Sequence, residues 1–265
     1  MIENPKAPRA KRVAALARKK ERLATGRFLV EGPQAVREAL VHRPGLVDTV
    51  YATMGTEPWQ HEIDRLASDG GIDLERVTPE VLAAMAETVT PQGVLAVART
   101  WQTPLSEVFA DATLVVILHE VRDPGNAGTV LRAADAAGAD AVIFAGESID
   151  PFHPKVVRST TGSLFHLPVT TVATLDAATE AARASGLTVL AADVRGDGLL
   201  DARADGILRG PVAWVFGNEA NGLSETDRAL TDRSLRLPIY GEAESLNLAT
   251  AASVLLYETA FAQRS

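Results

Sequence analysis

The segment "TLVVILHEVRDPGNAGTVLRAADAAGADAVIFAG", Thr113 to Gly146, decides the fold class. It opens with "TLVVILHEV", a nearly continuous apolar run of the kind a central parallel strand shows when both of its faces are covered. "GTVLRAADAAGA" then reads as a helix ended by Gly138, and "DAVIFAG" as the next strand. Towards the C-terminus the pattern repeats. "PKVVRSTTGS" predicts a short helix, "FHLPVT" a strand, and "TLDAATEAARASG" a helix ended by Gly186. "LTVLAAD", "VAWVFG" and "SLRLPI" follow as strands, and Leu248 to Phe261 is an apolar helix. Towards the N-terminus, "RFLVEG", "LVDTVYA" and "GVLAVART" read as strands. Between them, "PQAVREALVH", "PWQHEIDRLASDGG" and "TPEVLAAMAET" read as helices. Strand and helix alternate throughout, which predicts an α/β protein with a parallel sheet covered on both faces.

At 265 residues, 46% hydrophobic and 23% charged, the chain has material for a sizeable core and for one large or two ordinary domains. Cysteine is absent, which excludes disulfides and thiolate metal sites. No apolar run approaches the length of a membrane span, and the polar, basic N-terminus does not resemble a signal peptide, so a cytoplasmic location is expected. The net charge of −8 is unevenly spread. Residues 1–27 hold nine Lys or Arg against Glu3 and Glu21, a net of +7 that leaves −15 for the rest. A basic arm on an acidic body fits a phosphate-bearing partner, and equally a solvated N-terminal helix. Arg12, Arg18, Lys19 and Arg27 are its candidate RNA contacts. The expected organisation is a basic arm (1–27), a small domain (28–100), a Pro-interrupted linker (101–111) and a second domain (112–265).

Neither G-x-G-x-x-G nor a P-loop occurs anywhere in the chain. Three polar or Gly-containing joints, at residues 119–132, 217–224 and 237–247, nevertheless follow strands. Ligands in open α/β sheets sit beyond the carboxyl ends of strands, so the three joints are candidates to form one pocket. Each alone is explained by a tight turn and a helix cap.

The motifs "RDPGNAGTVLRAADAAG", "VFGNEANGLS" and "LPIYGEAESLNLATAASVLLYE", in that order, resemble the SpoU (TrmH-type) RNA 2′-O-methyltransferases of the SPOUT superfamily. The N-terminal "RFLVEGPQAVREAL" is similar to the small substrate-binding domain that several members carry. The resemblance implies a SPOUT-type α/β fold: a parallel sheet with a C-terminal trefoil knot, preceded by a smaller ribosomal-protein-like α/β domain that binds RNA. It also implies S-adenosylmethionine as methyl donor, a homodimer, and RNA as substrate, with ribosomal RNA preferred over transfer RNA.

The resemblance carries onto particular residues. Asn126 and Arg132 match the active-site Asn and the Arg that activates the ribose 2′-hydroxyl. Read locally, they are a helix cap and a surface partner for Asp135. Glu219 matches the acidic residue of the second motif, and Ser245 and Asn247 flank Leu246 as polar groups near the chemistry or as caps. Phe216, Gly217, Leu237, Ile239 and Leu246 match the cofactor-binding positions, or are core and turn residues. Lys155 and Arg158 are candidate RNA contacts on a segment that otherwise reads as a solvated helix. The histidines show no metal-ligand spacing, and methyl transfer from a sulfonium requires no metal, so none is expected. Two other readings compete: a non-catalytic RNA-binding or ribosome-assembly factor, and a nucleotide-dependent enzyme of ordinary doubly wound topology.

Overall fold

Six α-helices begin with proline at their first residue, where the missing N–H costs nothing, and four of those starts, at Pro33, Pro58, Pro79 and Pro154, are read from the sequence. The computed structural model describes residues 1–265. In chain order the first elements are α1 (Pro8–Ala15), α2 (Lys19–Thr25), β1 (Arg27–Glu31), α3 (Pro33–His42) and β2 (Val47–Ala52). Then come α4 (Pro58–Asp69), β3 (Asp73–Arg76), α5 (Pro79–Met85), β4 (Val94–Arg99) and α6 (Leu105–Val108). The middle holds β5 (Leu114–His119), α7 (Pro124–Ala137), β6 (Ala141–Ala145), α8 (Pro154–Thr160), β7 (Val169–Val172) and α9 (Leu175–Ala184). The last are β8 (Thr188–Gly198), α10 (Leu199–Ala204), β9 (Val212–Phe216), α11 (Glu225–Ala229), β10 (Arg233–Arg236) and α12 (Leu248–Arg264). They form two units: residues 1–101 with 152–166, and residues 102–151 with 167–265.

The first unit contains a four-stranded sheet of order β1-β4-β2-β3. Here the expectation of a parallel sheet fails, because β4 runs antiparallel to both neighbours and only β2–β3 is parallel. Strand direction depends on the sheet end at which a connection re-enters, which local residues do not encode. The charged edge strand β3, "DLER", has no apolar alternation to announce it. The basic segment is folded rather than trailing. Ala10, Val13 and Leu16 are buried against Leu29, Tyr51, Val81, Leu82 and Leu95. Arg22 is buried too, and its Nη1 donates to the carbonyls of Leu16 and Ala17 at 3.0 and 2.8 Å, closing the end of α1. Residues 152–166, placed by sequence inside the second region, pack here: Phe152 and Phe165 join Phe28 and Trp101 in one aromatic cluster. That packing shortens the strand expected over "FHLPVT". Phe165 lies in a 3-10 turn, and β7 begins only at Val169.

The second unit is built on a six-stranded, wholly parallel sheet of order β10-β8-β9-β5-β6-β7. β5 and β9 are central, and their apolar residues are buried on both faces. From β5 the chain moves outward through β6 and β7; from β9 it crosses β8 to reach the opposite edge at β10. The carboxyl ends of β5 and β9 therefore flank the point where the winding diverges, the usual crevice of an open sheet. Helix α12 is stapled to β9 by Trp214, whose indole N–H donates to the Thr259 hydroxyl at 2.9 Å within the core. β8 and β10 approach so closely that a Cβ on Gly196 would lie 2.4 Å from the Ser234 backbone.

Candidate active site

The chain leaves β5 through Glu120, held at φ 55, a left-handed conformation that few non-glycine residues adopt. Three bonds hold this exit in place. Asn218, just beyond β9, donates its side-chain amide to the Glu120 carbonyl at 2.9 Å, and its Oδ1 accepts from the backbone of Ala220 and Asn221. The Glu120 carboxylate accepts from the Glu147 N–H at 2.9 Å and from Arg122. Those two bonds, the Glu147 amide first, hold its pKa below the usual carboxylate value.

Helix α7 starts earlier than the sequence implied. Asp123 is its N-cap, accepting from the Asn126 N–H at 2.8 Å, with Pro124 as first helical residue and Gly138 as left-handed terminator. Asn126 is therefore not the cap, and its side chain is committed elsewhere. Helix α12 is capped by Asn247, whose Oδ1 accepts from Ala249 N at 2.9 Å and Thr250 N at 3.3 Å. Those donors fix which way the Asn247 amide faces, leaving Nδ2 to donate to Asn126 Oδ1 at 3.0 Å. The polarity passes on: Asn126 Nδ2 points to Glu219 Oε1 at 3.4 Å. Glu219 completes the chain by accepting from the backbone N–H groups of Arg122 and Asp123 at 3.3 and 3.1 Å. One directed relay, Asn247 to Asn126 to Glu219, thus ties the three sequence motifs together at the carboxyl ends of β5 and β9.

The other expected residues divide. Arg132 is exposed on α7, six positions beyond Asn126, which places it about 9 Å along the axis and a third of a turn away around it. Ser245 is exposed in the loop before α12, whose cap belongs to Asn247. Phe216 is fully buried and stacks on Trp214, so its side chain belongs to the core and only its backbone reaches the strand end. Gly217 is sterically required: a Cβ there would lie 2.6 Å from the Gly222 carbonyl carbon and 2.8 Å from Leu223 Cγ. Leu237 is half-buried, whereas Ile239 and Leu246 are 37% and 41% exposed and offer apolar surface along the 237–247 loop. Sequence reasoning missed Glu120, Asp123 and Asn218; the Asp-Pro pair was the available signal for the cap.

Of the residues expected to touch RNA, Arg12, Lys19 and Lys155 are exposed. Arg18 makes a loose 3.5 Å pair with Glu21, and Arg27 pairs with Asp48 at 2.7 Å. Arg158 is engaged differently. Its guanidinium binds Glu31 at 3.1 Å and Glu87 at 2.5 Å, and so ties α8 to the first sheet.

Comparison with known proteins agrees with this architecture. The model of the SpoU rRNA methylase family matches residues 113–257, and that of an MRM3-like substrate binding domain matches residues 7–96. A 23S rRNA (guanosine(2553)-2′-O)-methyltransferase of Bacillus subtilis is 35% identical over 97% of both chains. An AdoMet-bound rRNA methyltransferase from Sinorhizobium meliloti superposes with a TM-score of 0.84 at 31% identity, over 97% of this chain and 96% of that one. The SpoU methyltransferase AviRb of Streptomyces viridochromogenes, in complex with AdoMet, gives 0.84 at 32% identity, over 97% and 99%. A parallel α/β unit carrying three linked motifs, a preceding substrate-binding unit and relatives matched end to end together place the chain in the SpoU family of RNA methyltransferases, within the SPOUT superfamily.

Proposed function

We propose that the protein methylates a ribose 2′-hydroxyl of ribosomal RNA with S-adenosylmethionine as donor, working as a cytoplasmic homodimer. The observation that carries this reading is the directed relay Asn247–Asn126–Glu219 at the sheet's diverging strand ends. The surroundings suit the donor: Gly217 lets the loop after β9 fold tightly onto Gly222 and Leu223, and Ile239 and Leu246 offer apolar edges for an adenosyl group beside polar Asn247. Bound there, S-adenosylmethionine supplies an electrophilic methyl carbon on a sulfonium. A C-terminal trefoil knot is part of the same proposal, resting on the match of residues 113–257 to the SpoU family.

The residues then have distinct work. Asn126 and Glu219 hold the first turn of α7 against the loop after β9, which keeps the reacting groups aligned. Arg132 stabilises negative charge developing on the 2′-oxygen. A guanidinium stays protonated at neutral pH, so it serves as electrostatic partner rather than as base. Val254, Tyr257 and Phe261 are 41%, 39% and 57% exposed along one side of α12, a stripe that a second copy would cover. Tyr257 donates to the Ala136 carbonyl of α7, so Arg132 lies on a helix bordering that stripe. Outside the relay, Arg12, Arg18, Lys19, Arg27 and Lys155 contribute phosphate contacts, with residues 28–100 as the core of the RNA-binding domain.

Arg132→Ala tests the assignment. Methyl transfer to ribosomal RNA should fall by roughly 10² or more, while calorimetry shows S-adenosylmethionine binding within about twofold of wild type. Turnover near wild type removes the role given to Arg132. Mapping methylated riboses in ribosomal RNA from cells with and without the gene identifies the nucleotide.

A further inference from the structure

The first unit carries a cluster that methyl transfer does not use. Glu38 and His42 lie one turn apart on α3, and His166 follows the 3-10 turn at Ser163–Phe165. Glu38 Oε2 is 3.3 Å from His42 Nε2 and 3.2 Å from His166 Nε2. The three ligand atoms lie within 4.8 Å of one another, and the two rings are 4.4 Å apart at their centroids. We propose that Glu38, His42 and His166 bind a divalent transition-metal ion, Zn²⁺ by preference, that clips segment 152–166 to α3.

The geometry supports an ion of that class. Zinc–ligand bonds of about 2.0–2.1 Å in a tetrahedron place ligand atoms about 3.3 Å apart, and both oxygen–nitrogen edges already have that length. Two imidazoles and a carboxylate are a borderline donor set suited to zinc and unsuited to calcium or magnesium, with water left for the fourth position. The carboxylate is also oriented from outside. Its Oε1 accepts from Gln34 Nε2 at 2.6 Å and Arg37 Nη1 at 2.9 Å, which turns Oε2 towards the histidines. Such outer hydrogen bonds set ligand orientation in metal sites. The nearby Arg37 charge is shared with Glu62 at 2.8 Å, so it is not directed at Glu38 alone. Gly162 makes room, since a Cβ there would lie 2.4 Å from Glu38 Cγ. Glu38 is buried while His42 is exposed, which leaves an entry path for the ion. His166 lies 128 residues from Glu38, which is why spacing in sequence carried no hint of the cluster.

The test uses the full-length chain without an affinity tag, stripped with a chelator and titrated with Co²⁺ and then Zn²⁺. The expected result is one ion per chain, visible d–d absorption of a low-coordinate Co²⁺ site displaced by Zn²⁺, and a Zn²⁺-dependent rise in melting temperature. His166→Asn and His42→Asn should abolish the absorption. Gln34→Ala, which removes only an outer hydrogen bond from an exposed position, should weaken affinity by about 10-fold or more with the fold intact. If a histidine variant does not fold, the Gln34→Ala comparison decides. Absence of Co²⁺ absorption in the wild type, or equal binding by wild type and Gln34→Ala, overturns the proposal. Because the readouts are spectroscopic and thermal, failure here leaves the methyltransferase reading untouched.

Discussion

Asn247 holds two jobs that a pair of substitutions separates. Its Oδ1 caps α12 through Ala249 and Thr250, and its Nδ2 begins the relay to Asn126. Asn247→Ala removes both. Loss of the cap costs about 1 kcal/mol, and loss of the amide hydrogen bond about another 1 kcal/mol. Melting temperature should therefore fall by roughly 4–8 °C for a protein of this size. Asn247→Asp keeps the cap, because a carboxylate oxygen accepts from the same N–H groups and suits a helix N-terminus. It should therefore lose about 1 kcal/mol, the cost of the amide hydrogen bond alone, against about 2 kcal/mol for Asn247→Ala. The relay, however, is broken. Asn126 would then sit between two carboxylates, Asp at 247 and Glu219, with one NH₂ group to offer. It must leave one of them facing its carbonyl oxygen, and the turn ahead of α7 loses its single arrangement. Methyl transfer should drop by roughly 10²-fold in both variants, as when one preorganised donor is removed from an active site. The assay is transfer of labelled methyl to ribosomal RNA lacking the modification, run beside a thermal melt. An Asp variant with wild-type turnover would refute the relay; one as unstable as the Ala variant would refute the cap.

Three further outcomes are expected. Gly217→Ala should cost about 1–3 kcal/mol and weaken S-adenosylmethionine binding, because its Cβ meets backbone at 2.6 Å; calorimetry with the cofactor and a melt measure both. Arg12→Glu with Lys19→Glu should weaken RNA affinity and flatten its salt dependence without unfolding the protein, since both side chains are exposed; deleting residues 1–27 is a poor substitute, because it removes core residues Ala10, Val13 and Leu16. Stability should decline as pH falls through and below the ordinary carboxylate range near 4, a loss that denaturant melts across pH would follow. Asp193, held low chiefly by its bond to Arg195, loses that stabilisation on protonation. So does Asp227, for which burial is outweighed by bonds from Ser224 and by His119. Asp193→Asn should flatten the acid limb of that profile.

Much of this protein is legible in its residues because the signals are local. The apolar run at 114–118, Gly138 at the end of α7, and the Pro-led helices α3, α4, α5 and α8 each report physics acting over a few neighbours. Motif identity also survives in one dimension, so the family and the polar residues of its three loops are visible. What the tertiary structure alone decided is every relation between distant segments. The antiparallel placement of β4 and the capture of residues 152–166 by the first sheet both depend on where chain segments re-enter the fold. The same holds for the direction of the Asn247–Asn126–Glu219 relay and for the meeting of His166 with Glu38. Hydrogen-bond polarity is set by whichever donor is nearest in space. For Asn126 that donor lies 121 residues away, and no pattern read along the chain contains it.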